Sequence, residues 1–203
     1  MTRNEKEMMS SIFAKIAELD YIKPDEIPNI DLYMDQVTTF MEENLASTKR
    51  HEDDKILTKT MINNYAKNKL LPPPEKKRYS REHLLMLIFI YYFKNILSIT
   101  DIQTLLKPIT DKYFKGEPGK DMTYVYNEVF GMENSKIDQL IKNLLKDYRF
   151  SSTTFQDADE EDQEFLKRFS FICLMSFDVY IKKMIIERMI DDISAKEDDK
   201  KSK

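Results

Sequence analysis

At 203 residues with 41% hydrophobic side chains, the chain can fill the core of one large domain or two small ones, which excludes disorder of the whole. Only three glycines and seven prolines, few Val, and many Leu, Ile, Met, Lys and Glu favour helices over sheet. A single cysteine, Cys173, excludes a disulfide framework within one chain and points to a reducing compartment, and the formal net charge of −4 argues against a surface uniformly coated by nucleic acid.

Taken in chain order, Met8, Ile12, Ile16 and Leu19, widened by Phe13, recur at helical spacing and predict an amphipathic helix over 4–19. After the loop KPDEIPNI, Asp31 is the expected cap of a second helix, whose buried side carries Leu32, Met34, Val37, Met41 and Leu45 up to about Ala46. The charged connector STKRHEDDKI leads to a short helix over about 58–68, a proline turn at 72–74 and a helix opening at Ser80. That helix is apolar all round between Leu84 and Phe93, so both of its sides need cover. Ser98 and Asp101 form an S-x-x-D capping box ahead of Ile102, Leu105 and Leu106, and Pro108 is expected to stop the helix. Two of the three glycines lie in YFKGEPGKDM at 113–122, which predicts a division into 1–112 and 113–203. Beyond it come a helix broken at Gly131 and running to about Tyr148, a loop with an acidic helix start, and a helix from about Asp159 to Ile193, then a disordered tail at about 196–203. The reading is an all-α fold.

Charge is unevenly placed. From Lys55 to Arg81, eight Lys or Arg face one acid, Glu75, a net +7 that leaves −11 for the rest. A local basic patch on an acidic body is the footprint expected of a nucleic-acid binder. Within 58–68, Thr60, Asn63, Asn64 and Lys67 follow i, i+3, i+4, i+7 spacing and share one face, with Met61, Ile62 and Tyr65 on the other. Docked on its apolar side, such a helix presents Asn, which can bond both N6 and N7 of adenine, and Lys, which can meet guanine or phosphate. Lys59, Lys69, Lys76, Lys77, Arg78 and Arg81, with Tyr79, are the expected phosphate contacts.

The order LTKTMINNYAKNKLLPPP, RYSREHLLMLIFI, LSITDIQTLL resembles the DNA-binding domain of the MerR-type transcription regulators over residues 57–106. Tyr65 matches the second tyrosine of that family's recognition helix, Leu70, Leu71 and Pro72 its leucine pair and proline, Arg78, Tyr79 and Ser80 the entry to its next helix, and 98–102 its last motif. The resemblance implies a helix-turn-helix unit with recognition helix 58–68. The chain departs from it where Asn63 and Asn64 stand in place of an arginine and the first tyrosine, in a wing much reduced to EKKRY, and in a ten-residue connector, 47–56. With DLYMDQVTTF and MINNYAKNKLLPPPEKKRYS, the whole chain also looks like the uncharacterised bacterial domain-of-unknown-function family 1836.

Nothing in the sequence points to catalysis, a metal or a cofactor. His51 and His83 have no second ligand at metal spacing and read as surface residues, and Cys173, inside FSFICLMSF, reads as a buried small hydrophobe. The apolar run at 84–93 is about half a bilayer crossing and MTRNEKEMM lacks a signal-peptide core, so a cytoplasmic protein is expected. The carboxy-terminal aromatics, Tyr124, Tyr126, Phe130, Tyr148, Phe150, Phe155, Phe165, Phe169, Phe171, Phe177 and Tyr180, are compatible with a core or with a pocket for an apolar effector. The last helix offers Phe177, Ile181, Met184, Ile185, Arg188 and Met189 as a homodimer seam. Two functions are expected: a dimeric regulator that binds double-stranded DNA, or a helical protein-interaction module whose basic surface meets an acidic partner.

Overall fold

A computed structural model describes residues 3–17, 21–131 and 137–201. The fold is mostly α, with eight α-helices and one two-stranded sheet among the described residues. The chain divides into two compact units, one comprising Met1–Met132 with Ile193–Lys203 and the other Glu133–Asp192.

In the first unit, α1 covers Arg3–Ala17 and buries Met9 rather than Met8, while Leu19 lies outside the described residues. A short 3-10 turn at Pro24–Glu26 precedes strand β1, Leu32–Tyr33, and helix α2, Met34–Leu45, whose buried side is Val37, Met41 and Leu45. Asp31 does not cap α2: two residues of strand intervene, Tyr33 is the cap position, and its amide donates to Gln36 Oε1 at 2.8 Å. Helix α3 covers Lys59–Lys67, strand β2 covers Arg78–Tyr79, and β2 pairs antiparallel with β1, Leu32 opposite Tyr79.

Helix α4, Arg81–Phe93, is buried from His83 to Tyr91 without interruption. Its cover comes from β2 and from α6, Met122–Phe130, which also packs on α5, Ile99–Tyr113, and on the 3-10 turn. The expected division at 113–122 therefore falls inside this unit. Phe89 packs against Tyr126 and Phe130, with ring centroids 5.8 and 5.5 Å apart, and the buried Tyr126 hydroxyl donates to the Ile22 carbonyl at 2.6 Å. Arg81 ties down the same turn by donating to Ile27 O at 2.9 Å and Pro24 O at 2.5 Å.

The Ser98–Asp101 capping box opens α5, but Pro108 lies inside that helix and does not end it. The ring deprives only the Thr104 carbonyl of its usual partner. Ile102 and Leu106 anchor α5 before it, Phe114 is buried beyond it, and Thr110 Oγ1 donates to Leu106 O at 2.8 Å.

In the second unit, α7, Ile137–Ser151, is joined by a short loop to α8, Glu160–Lys201, whose residues from Ile193 onward group with the first unit. Leu144 and Asp147 share a cleft with Met175, Asp178 and Lys182, and Tyr148 meets Phe171 edge-on at 5.3 Å. Two sequence expectations are corrected here. Helix α8 continues through Lys201, past the expected start of a disordered tail at 196. Cys173 is exposed, because it lies two residues from both Phe171 and Met175, on the side of α8 away from α7. No described helix is long and apolar enough to cross a membrane.

Replacing Tyr126 by Phe leaves the Ile22 carbonyl buried without its donor. Urea denaturation followed by circular dichroism should register a loss of about 1–2 kcal/mol.

Candidate nucleic-acid interface

Helix α3 is set by its ends and by one face. At its start Thr58 Oγ1 accepts from the Met61 amide at 3.2 Å, and Lys59 pairs with Asp35 in the first turn of α2. Ile62 and Tyr65 are buried, and α3 packs on α2. At its end the Leu70 amide reaches back to Tyr65 O at 2.9 Å and the Lys69 amide to Ala66 O at 3.1 Å. This is a Schellman closure with Lys69 at φ 58° in the left-handed position. Leu70 and Leu71 are buried after it.

The opposite face is open. Thr60, Asn63, Asn64 and Lys67 are all exposed, and the side-chain amides of Asn63 and Asn64 make no hydrogen bond among the described residues. The sequence-predicted face is therefore brought together on one helix, after a connector of thirteen residues, 46–58, between α2 and α3. Asp54 orders part of that connector by accepting from the Arg50 and His51 amides at 3.1 and 2.9 Å.

The segment EKKRY forms a hairpin. Glu75 bridges Arg78, whose amide donates to Glu75 O at 2.8 Å, and the two residues between them, Lys76 and Lys77, have φ of 48° and 63°. Two consecutive positive φ values in a two-residue loop define a type I′ turn, for which Asn-Gly is the favoured pair. Lys76 and Lys77 are exposed at its tip. Glu75 is engaged by Lys115 Nζ at 2.5 Å, which holds its carboxyl below the usual range. Arg78 stacks 5.2 Å over the Tyr33 ring and donates Nη2–H to the Tyr33 hydroxyl at 3.1 Å, so its fork is held in place.

Tyr79 and Arg81 do not belong to this surface. Tyr79 is 3% exposed and packs edge-on against His83, because its β2 position faces the core. Arg81 spends its guanidinium on the carbonyls of 24 and 27. Conversely, Lys115 and Tyr33 belong beside the hairpin. They lie far away in sequence, and only the folded chain reveals the pairing.

His83 is buried, not a surface residue. Its Nδ1 accepts from the Ser80 amide at 3.0 Å, which leaves the proton of the neutral ring on Nε2, and Nε2 has no hydrogen-bond partner. With Asp31, Pro72, Glu82, Phe114 and Lys115, His83 lines a cleft of about 580 Å³ behind the hairpin. Among the described residues no group of three or more His, Cys, Asp or Glu converges as metal ligands.

The model for a domain of unknown function (DUF1836) matches residues 22–129, more than half of the chain. The chain belongs to this family. The matched stretch of the DUF1836 family takes in β1, α2, α3, the hairpin, α4, α5 and nearly all of α6, and it excludes α7 and α8. No curated protein and no solved structure matches the chain.

Burial pushes the His83 imidazole below its ordinary value of 6.5, against the opposing pull of the carbonyls of Pro72 and Pro73 and the carboxylates of Glu82 and Asp31. The folded chain thus binds this proton less readily than the unfolded one. Stability is complete above about pH 6.5 and falls as the pH drops below it. Urea midpoints at pH 7.5 and 5.5 should show the loss, and H83Q should flatten it. The lowered carboxyls of Glu42, Asp54 and Glu75 act only in a more acidic window.

Proposed function

We propose that the first unit binds double-stranded DNA as the reading domain of a transcription regulator, in the manner the MerR-type resemblance implies. Helix α3 enters the major groove with Thr60, Asn63, Asn64 and Lys67 toward the base edges, and Lys69, Lys76, Lys77 and Arg78 meet phosphates. Lys59 lies at the start of the same helix, already paired with Asp35, and exchanges that carboxylate for phosphate. The order of elements supports the reading: a strand, two helices and a hairpin whose outer strand returns to the first, with the exposed helix flanked by the turn.

The observation that carries it is the backbone of three lysines. Lys69, Lys76 and Lys77 all hold positive φ, where an L side chain costs roughly 1–2 kcal/mol and glycine or asparagine costs little. None of the three forms an ion pair among the described residues, so no contact within the unit accounts for their being lysine. Strain that persists without a structural return marks a functional position, and what these positions share is an outward cation.

The reading separates stability from binding. The double variant K76N/K77G supplies the pair the turn favours and should raise stability by about 1–2 kcal/mol. The same variant should weaken duplex binding and lower the slope of log affinity against log salt by about two units, measured by fluorescence anisotropy on labelled duplex. A gain in stability with unchanged binding, or binding indifferent to salt, defeats the proposal and leaves an acidic protein as the partner of this face. If Asn63 reads a base, N63A should relax sequence preference by about 1–3 kcal/mol, checked by competition between selected and random duplexes.

A further inference from the structure

Between α2 and α3 the chain crosses a stretch that gives the start of α3 little apolar support. Residues 50–55 are all exposed, and the chain re-enters the core only at Ile56 and Leu57, which are buried. Side chains from α2 and from the end of α4 hold the backbone here instead. Lys94, the residue after α4, donates from Nζ to the Ile56 carbonyl at 2.6 Å, across 38 residues of sequence. Its ammonium also lies 4.8 Å from the centroid of the Tyr91 ring, one turn earlier on α4. The Tyr91 hydroxyl in turn holds the other end of the connector. Thr48 Oγ1 gives its own proton to Leu45 O at 2.6 Å, so it accepts from Tyr91. From α2, Glu42 pairs with Lys49, and Lys49 together with the Ile56 amide keeps the Glu42 carboxyl below its usual range.

A lysine in this place is not neutral for the fold. Partial burial removes its ammonium from water and lowers its affinity for the proton. Cations at a helix end commonly serve the last carbonyls of that helix, whereas this one is turned to the peptide two residues before Thr58, the cap of α3. The geometry points to Lys94 as the residue that positions α3 for the major groove, with Tyr91 fastening the far end of the same connector. Without Lys94 a buried carbonyl loses a charged donor, and the entry to α3 opens locally. Lys94 stands at the opposite end of the 13-residue α4 from the hairpin, about 20 Å along the axis, so it acts on binding through α3 and not through the basic tip. Its consequence for binding rests on the reading of α3 as the groove helix, but its hold on α3 does not.

Hydrogen–deuterium exchange followed by mass spectrometry on the full chain, beside anisotropy on labelled duplex, tests the inference. In K94M, which keeps the stem and removes the donor, amides of 56–68 should exchange about tenfold faster, while those of α4 and α6 keep wild-type rates. Duplex affinity should fall with the fraction of molecules whose α3 is in place. The slope of log affinity against log salt should stay unchanged, since no phosphate contact is removed. K94R, which still donates toward Ile56, should restore both readouts. Y91F, smaller by one oxygen, frees Thr48 and should speed exchange over 46–58 even if K94M fails to fold. Exchange that rises evenly over the first unit makes Lys94 a general stabiliser and overturns the inference, as does exchange unchanged in both variants. Loosened 56–68 with full duplex affinity overturns the role in reading. A wild-type chain that binds no duplex defeats the DNA reading instead, and the exchange pattern still decides whether Lys94 places α3.

Discussion

Helix α4 carries apolar side chains in every direction from Leu84 to Tyr91, and a helix of that kind exists only if other elements close around it on all sides. This requirement organises the first unit. β2 delivers the chain to one end of α4, α6 lies along it, α5 packs on α6, and the 3-10 turn at 24–26 is fastened by Arg81 from the first turn of α4 and by Tyr126 from α6. The surface that carries α3 follows from the same demand. Because β2 is spent on β1 and α2, the chain between α3 and α4 must reverse within a few residues, and the reversal pushes Lys76 and Lys77 outward.

Backbone strain in this chain is confined to few places, and that makes its chemistry readable. Among the described residues four non-glycine positions have positive φ, and three of them are the lysines that follow α3 or form the hairpin tip. A turn selected for stability alone would hold Asn-Gly, and a Schellman closure would hold Gly. Apart from Phe155, the positive-φ positions are those where a positive charge is displayed, and disagreement between local and global preference is expected at functional positions. Charge neutralisation acts in the same sense: Glu75, the one acid of the basic stretch, is itself paired with Lys115, so the tip keeps its full positive potential.

Much of the helical layout was legible in the residues. Thr58 and Ser98 announce helix starts through hydroxyls that accept from orphan amides, and the i, i+3, i+4 spacing of α3 separates Ile62 and Tyr65 from Asn63 and Asn64 without any tertiary information. What escaped has a common cause. The two-residue strands are too short to show alternation, Lys-Lys carries no signature of a type I′ turn, and the partners Lys115 and Tyr33 lie 40 and 45 residues from the groups they hold. Pro108 misleads because a local rule yields to packing on both sides of the ring. His83 and Cys173 were misplaced in opposite directions, since periodicity reports which side chains are apolar and is silent about which element covers them.

That last distinction separates the two units physically. In the first, the all-round apolar helix is enclosed within its own chain, whereas in the second a longer helix of the same character stays open along much of its length. Both segments face the same desolvation demand, and the hydrophobic effect does not distinguish a covering helix supplied by the same chain from one supplied by another. The difference lies in how many helices the chain places beside each. α4 is covered by β2 and α6 of its own unit, while within the second unit α7 is the one helix beside α8 among the described residues. An apolar helix with one short neighbour therefore keeps much of its length in water, where the same kind of helix with neighbours on every side keeps none.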